Sequence, residues 1–422
     1  MSGHDPVEPA LVMINGRNPL RRRGGLHSYV QAHALAALAA GFDVHIFCAA
    51  ARSRKLDSAL GTIHEVATPV RPLAPYMAAT HLPFIRRAIV AHVRKSTAGG
   101  PVVIHGFGPW ALIGAAAART LERAGVEAVP VASAYTTLAH ETRGLLDGLR
   151  LEHGLFNGVR FWTRRLWVAA VADRAEGRGY RRSRLVMVNY ESVRALLVKR
   201  FGAALAIRRI PYASVLAFRE PLEPAPAPAV LARLEPVDAP LVLSVSRHDP
   251  RKGLDILLRA LADVAAAGIP FRACLVGPGP TIASNRALLE RLGLGRQVTI
   301  TGEVVDVAPY YGHADVFVLP SFEEGSGSLS LLEALQHGLA VVASSCDGIP
   351  EDVAAAAGEA GPALLVAPGD QAALADALAR VLADQRLRTA MASAARETFE
   401  RRFSAATFVE ALRRTYAELG AG

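Results

Sequence analysis

Cysteine is scarce in this chain, at three in 422 residues, and aromatic residues make up only 6%. Cys48, Cys274 and Cys346 are widely separated, and each lies in or just after an apolar run, so they suggest neither a disulfide framework nor a cysteine zinc site. The opening stretch MSGHDPVEPALVMING lacks the basic start and long apolar segment of a secretion signal. No uncharged run reaches the length of a membrane span. The expectation is a cytoplasmic protein, with peripheral attachment to the inner face of a membrane left open. No short-period repeat is visible, which removes solenoids and propellers. There is also no Asp-x-Asp pair of the kind that holds a metal ion.

What is present points to an ordered body of more than one domain. Hydrophobic residues account for 51% and charged residues for 20%, a balance that suits burial rather than disorder, and the length exceeds one ordinary core. The net charge of +9 conceals an asymmetry. Residues 1–220 hold 30 Lys and Arg against 14 Asp and Glu, a balance of +16, whereas residues 221–422 hold 17 against 24, a balance of −7. A basic first half suits nucleic acid, anionic lipid or a phosphorylated acceptor, and charge alone does not choose among them.

Short apolar runs alternate with helical patterns along both halves. ALVMI (10–14), FDVHIF (42–47), PVVIH (101–105), VPVAS (129–133) and RLVMVN (184–189) read as strands, with a helix from about Leu26 to Ala40. The alternation collapses in PLEPAPAPAVLARLEPVDAP and then restarts with LVLSVS (241–246), FRACLVG (271–277), VTITG (298–302), DVFVLP (315–320) and LAVVAS (339–344). Strands alternating with helices predict an α/β fold of two Rossmann-like domains with parallel sheets facing across a cleft. The expected divisions are an N-terminal Rossmann-like domain at 1–215, a Pro-rich linker at 216–240, a C-terminal Rossmann-like domain at 241–400, and a C-terminal helix at 401–422 packing back toward the first domain.

The most informative segment is PSFEEGSGSLSLLEALQHGLAVVASSCDGIPED (320–352), which reads as a strand end, a Gly/Ser loop, a helix carrying Glu333 about two turns in, and another strand. Small loop residues let backbone N–H groups approach an anion, and the helix dipole adds roughly half a positive charge there. Upstream, SVSRHDPRKGLDILLRAL (244–261) places Arg247 just past a strand and Lys252 immediately before Gly253 and a helix. A planar fork and a mobile point charge together suit a departing diphosphate. Standing alone, that segment reads equally well as a solvated basic loop.

Taken together, Arg247, Lys252 and Gly253, VGPGP (276–280), ITGEV (300–304), LPSFEEGSG (319–327), LLEALQHGLAVVAS (331–344) and DGIPEDV (347–353) resemble the C-terminal domain of the retaining GT-B glycosyltransferases of family four. The resemblance is specific over about residues 241–353 and weaker over the first half. It implies transfer of a sugar from a nucleoside-diphosphate sugar to an acceptor hydroxyl, with no metal cofactor. Arg247 and Lys252 are then expected on the diphosphate, Glu333 on the ribose, and Gly325, Ser326, Gly327, Ser328 and Leu329 on phosphate and sugar. Gly277 and Gly302 are expected to shape the base pocket. The family sets its two Glu eight positions apart, whereas eight residues separate Glu324 from Glu333 here, so strict counting puts Gly325 in the first slot. Glu324 is nonetheless expected to contact the sugar, because a loop absorbs one residue more easily than a helix. A second departure is Ser246, where the family commonly has Gly before the Arg. A sugar-nucleotide epimerase of the same fold and a noncatalytic nucleotide-sugar or membrane-binding protein are the rival readings.

In the first half, RRRGGLHSYVQAHALAAL (21–38) carries Gly24 and Gly25 at the entry to a helix, which the resemblance matches to a loop approaching the donor phosphate. The acceptor or sugar side is expected to involve His105, which ends PVVIH, and Tyr135 or His140 from SAYTTLAHET (133–142). A His at a strand end serves equally as a structural group. From Arg150 to Arg184 there are nine Arg and three acidic residues, interleaved with Phe156, Phe161, Trp162, Trp167 and Tyr180. That mixture suits an anionic membrane surface or a lipid-linked acceptor, and it equally suits an amphipathic helix on its own sheet with Arg in water. Partners are therefore a nucleotide sugar, a glycan, lipid-linked or small-molecule acceptor, and an anionic membrane surface. No base-reading module accompanies the charge, so nucleic acid is not expected.

Overall fold

The structure is a computed structural model. It describes residues 10–21, 25–68, 78–95, 101–140, 166–219, 222, 225–355 and 361–420. The chain forms two compact units, Met1–Phe218 with Ala405–Gly422, and Arg219–Ser404.

The first unit is built on β1 (Ala10–Asn15), α1 (Gly25–Ala39), β2 (Asp43–Ala50), β3 (Arg54–Ser58), β4 (Gly61–Ala67), α2 (Ala78–Val93), β5 (Val102–Phe107), α3 (Ala111–Glu122), β6 (Ala128–Ala134), α4 (Asp173–Arg182), β7 (Leu185–Val188), α5 (Glu191–Phe201) and β8 (Ile207–Arg209). Its eight strands lie in the order β3-β4-β2-β1-β5-β6-β7-β8. All pair in parallel except β3 with β4, an antiparallel hairpin at the sheet edge. β1, β2, β5, β6 and β7 occupy the predicted runs, whereas the β3–β4 hairpin and β8 were not expected. Val12, Ile14, Phe47, Ile104 and Trp110 pack against Ile85, Ile89 and Ile113 as a core cluster. Each such side chain taken fully out of water contributes about 1.5–3 kcal/mol.

The second unit comprises β9 (Leu241–Val245), α6 (Leu254–Ala266), β10 (Arg272–Val276), α7 (Ile282–Arg291), β11 (Val298–Gly302), β12 (Val316–Leu319), α8 (Leu329–Gln336), β13 (Ala340–Ser344), β14 (Ala363–Val366), α9 (Gln371–Ala383) and α10 (Gln385–Arg402). Its six strands are parallel in the order β11-β10-β9-β12-β13-β14. The strands read as near-continuous apolar runs because both faces of a parallel sheet are covered. Leu257, Leu258 and Leu261 of α6 and Leu378 of α9 bury against Val242, Leu275, Val316 and Val342.

Two boundaries differ from expectation. The Pro-rich stretch is not a free linker: the second unit begins at Arg219. Leu231 and Leu234 are buried, the Glu235 N–H donates to the Arg296 carbonyl at 2.9 Å, and His313 Nε2 donates to the Ala225 carbonyl at 2.8 Å. At the other end α10 continues to Arg402, and the last helix, α11 (Ala405–Ala417), belongs to the first unit. Phe408, Leu412 and Tyr416 form its buried stripe at helical spacing.

Among the described residues no helix is long and apolar enough to cross a membrane. The Arg-rich region lies partly outside the described residues. Its described part contains a π-helical turn, Val168–Ala172, that runs into α4, burying Val168, Ala172, Ala175 and Tyr180. Arg174, Arg178, Arg181 and Arg182 are exposed, so this stretch is an amphipathic helix with its cations in water.

Candidate functional site

In an open parallel sheet, ligands bind beyond the carboxyl ends of the strands where the strand order reverses. In the second unit that point falls between β9 and β12. β9 leads into Ser246 to Gly253. There Asp249 caps a 3₁₀ turn, Pro250–Lys252, by accepting from the Arg251 N–H at 3.1 Å, and it also accepts from Arg251 Nε at 3.1 Å. Burial acts to raise the Asp249 pKa, but the bonds and charge of Arg251 prevail and hold it below the ordinary value. The turn closes at Gly253, whose φ of 59° is left-handed and where an added Cβ would stand 2.2 Å from the Pro320 carbonyl oxygen. Gly253→Ala is therefore expected to destabilise the protein by about 1–3 kcal/mol, read by urea unfolding.

This turn sets Lys252 against the loop leaving β12. Lys252 Nζ lies 2.7 Å from Glu324 Oε2, with only 16% and 5% of the two side chains exposed. Ser321 Oγ donates to Glu324 Oε1 at 2.5 Å. Asp347 Oδ2 accepts from the N–H groups of Glu324 and Gly325 at 2.6 and 2.8 Å, and the Gly348 N–H donates to the Ser326 carbonyl at 2.6 Å. The segment after β13 thus fixes the loop. Gly325 has φ 79°, in the left-handed region, and the carboxylate paired with Lys252 is that of Glu324. Arg247 stands exposed at the mouth of the same turn.

α8 begins at Leu329 after the buried Ser326, Gly327 and Ser328. The first N–H groups of a helix lack intrahelical acceptors, which makes this end a seat for phosphate. Glu333 is the fifth residue of α8, little more than one turn in rather than two, which brings its carboxylate nearer the phosphate seat. Tyr311 Oη donates to Glu333 Oε2 at 3.1 Å. Burial pushes the Glu333 pKa up to about 7, against the Tyr311 hydrogen bond and Arg219, while Asp306 adds to the rise. Of the two glycines expected to shape a base pocket, Gly277 donates its N–H to the Gly302 carbonyl at 2.9 Å, so the loops after β10 and β11 meet. The Ser246 N–H donates to the Val276 carbonyl at 3.0 Å, while its hydroxyl, where the family commonly has glycine, is buried with no hydrogen-bond partner among the described residues. Asp347 and Tyr311 escaped the sequence reading. Asp347 lies within DGIPEDV, and its φ of 47° marks the special turn it occupies.

The first unit treats its expected residues differently. Gly24 lies outside the described residues, and Gly25 is the first residue of α1. Arg21 pairs with the buried Glu65 at 3.3 Å, alongside Arg54 and Asn18, and so anchors β4. His105 is a correction: it is fully buried, with Nε2 2.8 Å from Ser133 Oγ and Nδ1 2.7 Å from Tyr416 Oη. Both ring nitrogens are occupied within the unit, because α11 packs over the end of β5, so His105 is a structural group there. Tyr135 is likewise buried, stacked on Tyr29 at 3.9 Å with its hydroxyl 3.1 Å from His33 Nδ1. Burial lowers the His33 pKa to about 4, opposed by its bond to the Tyr29 carbonyl. His140 is half-buried and is the last described residue before 141–165.

Two parallel α/β units, the second with an anion seat at its switch point, define a GT-B fold. A sucrose-phosphate synthase from Thermosynechococcus elongatus superposes with a TM-score of 0.73, at 24% identity, over 98% of this chain and 99% of that one. HepE from Anabaena in complex with UDP gives a TM-score of 0.66 at 18% identity, over 97% of this chain and 100% of that one. More narrowly, residues 239–384, which lie within the second unit, match the family model described as glycosyl transferases group 1. The GDP-mannose-dependent alpha-(1-6)-phosphatidylinositol monomannoside mannosyltransferase of Mycobacterium tuberculosis is 30% identical over 213 residues, 48% of this chain and 54% of that protein. The chain spans about half the length of the curated relatives it matches.

Proposed function

We propose that the protein is a retaining glycosyltransferase that moves a sugar from a nucleoside-diphosphate sugar to an acceptor hydroxyl. The observation that carries this reading is the meeting of Lys252, Glu324 and the N-terminus of α8 at the switch point of the second unit, with Glu333 one turn away. The diphosphate sits on the first turn of α8, with Arg247 and Lys252 as cations. Their field stabilises the negative charge that grows on the leaving diphosphate, so the reaction needs no divalent ion. Glu333 accepts the ribose hydroxyls, and Glu324 accepts a hydroxyl of the donor sugar. The acceptor hydroxyl approaches the face from which the diphosphate leaves, which retains the anomeric configuration.

The first unit takes the acceptor, a glycan or lipid-linked sugar. The mannosyltransferase that matches this chain acts by name on a phosphatidylinositol glycolipid, and HepE was solved with UDP, which makes GDP-mannose and UDP-glucose the first donors to test. The basic excess of residues 1–220 and the exposed Arg174, Arg178, Arg181 and Arg182 favour a cytoplasmic enzyme resting on an anionic membrane surface. Incubation with labelled GDP-mannose or UDP-glucose and a bacterial glycolipid fraction is expected to move label into lipid. Interconversion of the nucleotide sugar without acceptor, with no labelled glycan or lipid formed, would overturn the reading.

A further inference from the structure

The first unit holds a second cluster of chemistry that sugar transfer does not use. In the parallel pairing of β2 with β4, His45 stands opposite Thr62 and Phe47 opposite His64. Side chains two apart share a face of a sheet, so His45, Phe47 and His64 point the same way. α2 covers that face through Ile85 and Ile89 and brings His92 in its last turn. His45 Nδ1 lies 3.2 Å from His64 Nε2, and the His92 ring centre is 4.2 Å from that of His45 and 4.7 Å from that of His64. One ligand nitrogen from each of the three lies within 4.8 Å of the others.

The surroundings orient the rings as a ligand set. Asp43 Oδ2 lies 3.0 Å from His45 Nε2, which places the proton on Nε2 and turns the Nδ1 lone pair toward the other imidazoles. An imidazole whose far nitrogen donates to a carboxylate is the usual arrangement behind a metal-bound histidine. Phe47 stacks on His64 at 4.3 Å with an interplanar angle of 3°, fixing that ring. Burial, the two neighbouring histidines and Lys55 lower the His64 pKa to about 4, opposed by Asp57. Burial, His45 and Lys55 lower that of His92, opposed by Asp43. Two nitrogens on a tetrahedral ion at about 2.0–2.1 Å stand about 3.3 Å apart, which matches the separation of His45 Nδ1 and His64 Nε2. A hydrogen bond between those two nitrogens accounts for one pair of rings but gives no reason for a third.

We propose that His45, His64 and His92 form a binding site for a zinc-class divalent cation, with Asp43 orienting His45 and a solvent molecule completing a tetrahedron. Three imidazole ligands favour late first-row ions over magnesium or calcium. The ion clamps β2 and β4 to the C-terminal end of α2 and takes no part in the donor site. The sequence offered no warning, since the three residues lie 19 and 28 positions apart with no conventional motif.

The test uses tag-free, chelator-stripped full-length protein titrated with Zn2+ against a chromophoric competitor. One ion per chain is expected at micromolar or tighter affinity, with a rise in Tm by mass action. His64→Gln and His92→Gln, at half-buried positions, should each weaken binding at least tenfold and remove the Tm rise. Asp43→Asn should weaken it by about tenfold or more. Co2+ should give the visible bands of a four-coordinate site, and this arm decides the matter on wild-type protein should a variant fail to fold. Unchanged affinity in both His variants, or only a six-coordinate Co2+ spectrum in the wild type, would overturn the proposal.

Discussion

Lys252→Met is expected to lower the transfer rate by about 10²–10³-fold, the usual loss when one group that stabilises developing charge is removed. The same substitution leaves Glu324, with 5% of its side chain exposed, as a buried carboxylate without its cation. Breaking one side of a buried pair costs about 3–5 kcal/mol, so a large fall in Tm accompanies the fall in rate. Loss of rate alone therefore does not separate catalysis from folding. The double variant Lys252→Met with Glu324→Gln makes the separation: the neutral amide needs no counterion and still accepts from Ser321 Oγ, so most of the stability returns while activity stays low. Recovery of activity along with Tm would mean that the pair serves only the fold.

Glu333→Gln is expected to move stability and donor binding in opposite directions. Burial raises the Glu333 pKa from 4.5 to about 7, so the folded protein holds a proton that the unfolded chain releases. Between those values stability falls as pH rises, and above the folded pKa the whole penalty is present. By the free energy of a pKa shift it is about 3 kcal/mol. Gln carries no such penalty and keeps an acceptor for Tyr311. The ligand-free variant should therefore be more stable than the wild type at pH 8, with the gap closing as pH falls toward 4.5, read by urea unfolding across that range. Donor affinity should drop by about 100-fold, since charge-assisted bonds to ribose hydroxyls are worth about 1.5–3 kcal/mol each. A variant that is less stable at pH 8, or that binds donor as tightly, would refute the ribose assignment.

The second unit was largely legible because a parallel sheet buries both faces. VTITG coincides with β11, and LVLSVS, FRACLVG, DVFVLP and LAVVAS each overrun β9, β10, β12 and β13 by one or two residues. The β3–β4 hairpin was not legible, since RKLDS is a polar edge strand with charge at Arg54, Lys55 and Asp57 and carries no apolar run to notice. Pairings across long stretches of sequence were hidden for a different reason. His105 reads as a strand-end functional group until α11, 311 residues later, supplies the Tyr416 hydroxyl that occupies it. Lys252 and Glu324 are both legible as site residues, but their direct contact follows from the order β9-β12, in which strands distant in sequence become neighbours.

The central claim is that the switch point of the second unit is built for a nucleoside diphosphate. Calorimetric titration of the wild-type protein with a nucleoside, its monophosphate and its diphosphate tests this most directly, using the uridine and guanosine series in turn. One of the diphosphates should bind at micromolar affinity, its monophosphate at least tenfold more weakly and the nucleoside weakest of all, with Lys252→Met/Glu324→Gln flattening the series. Equal binding of nucleoside and diphosphate, or no binding of any member of either series, would contradict the account.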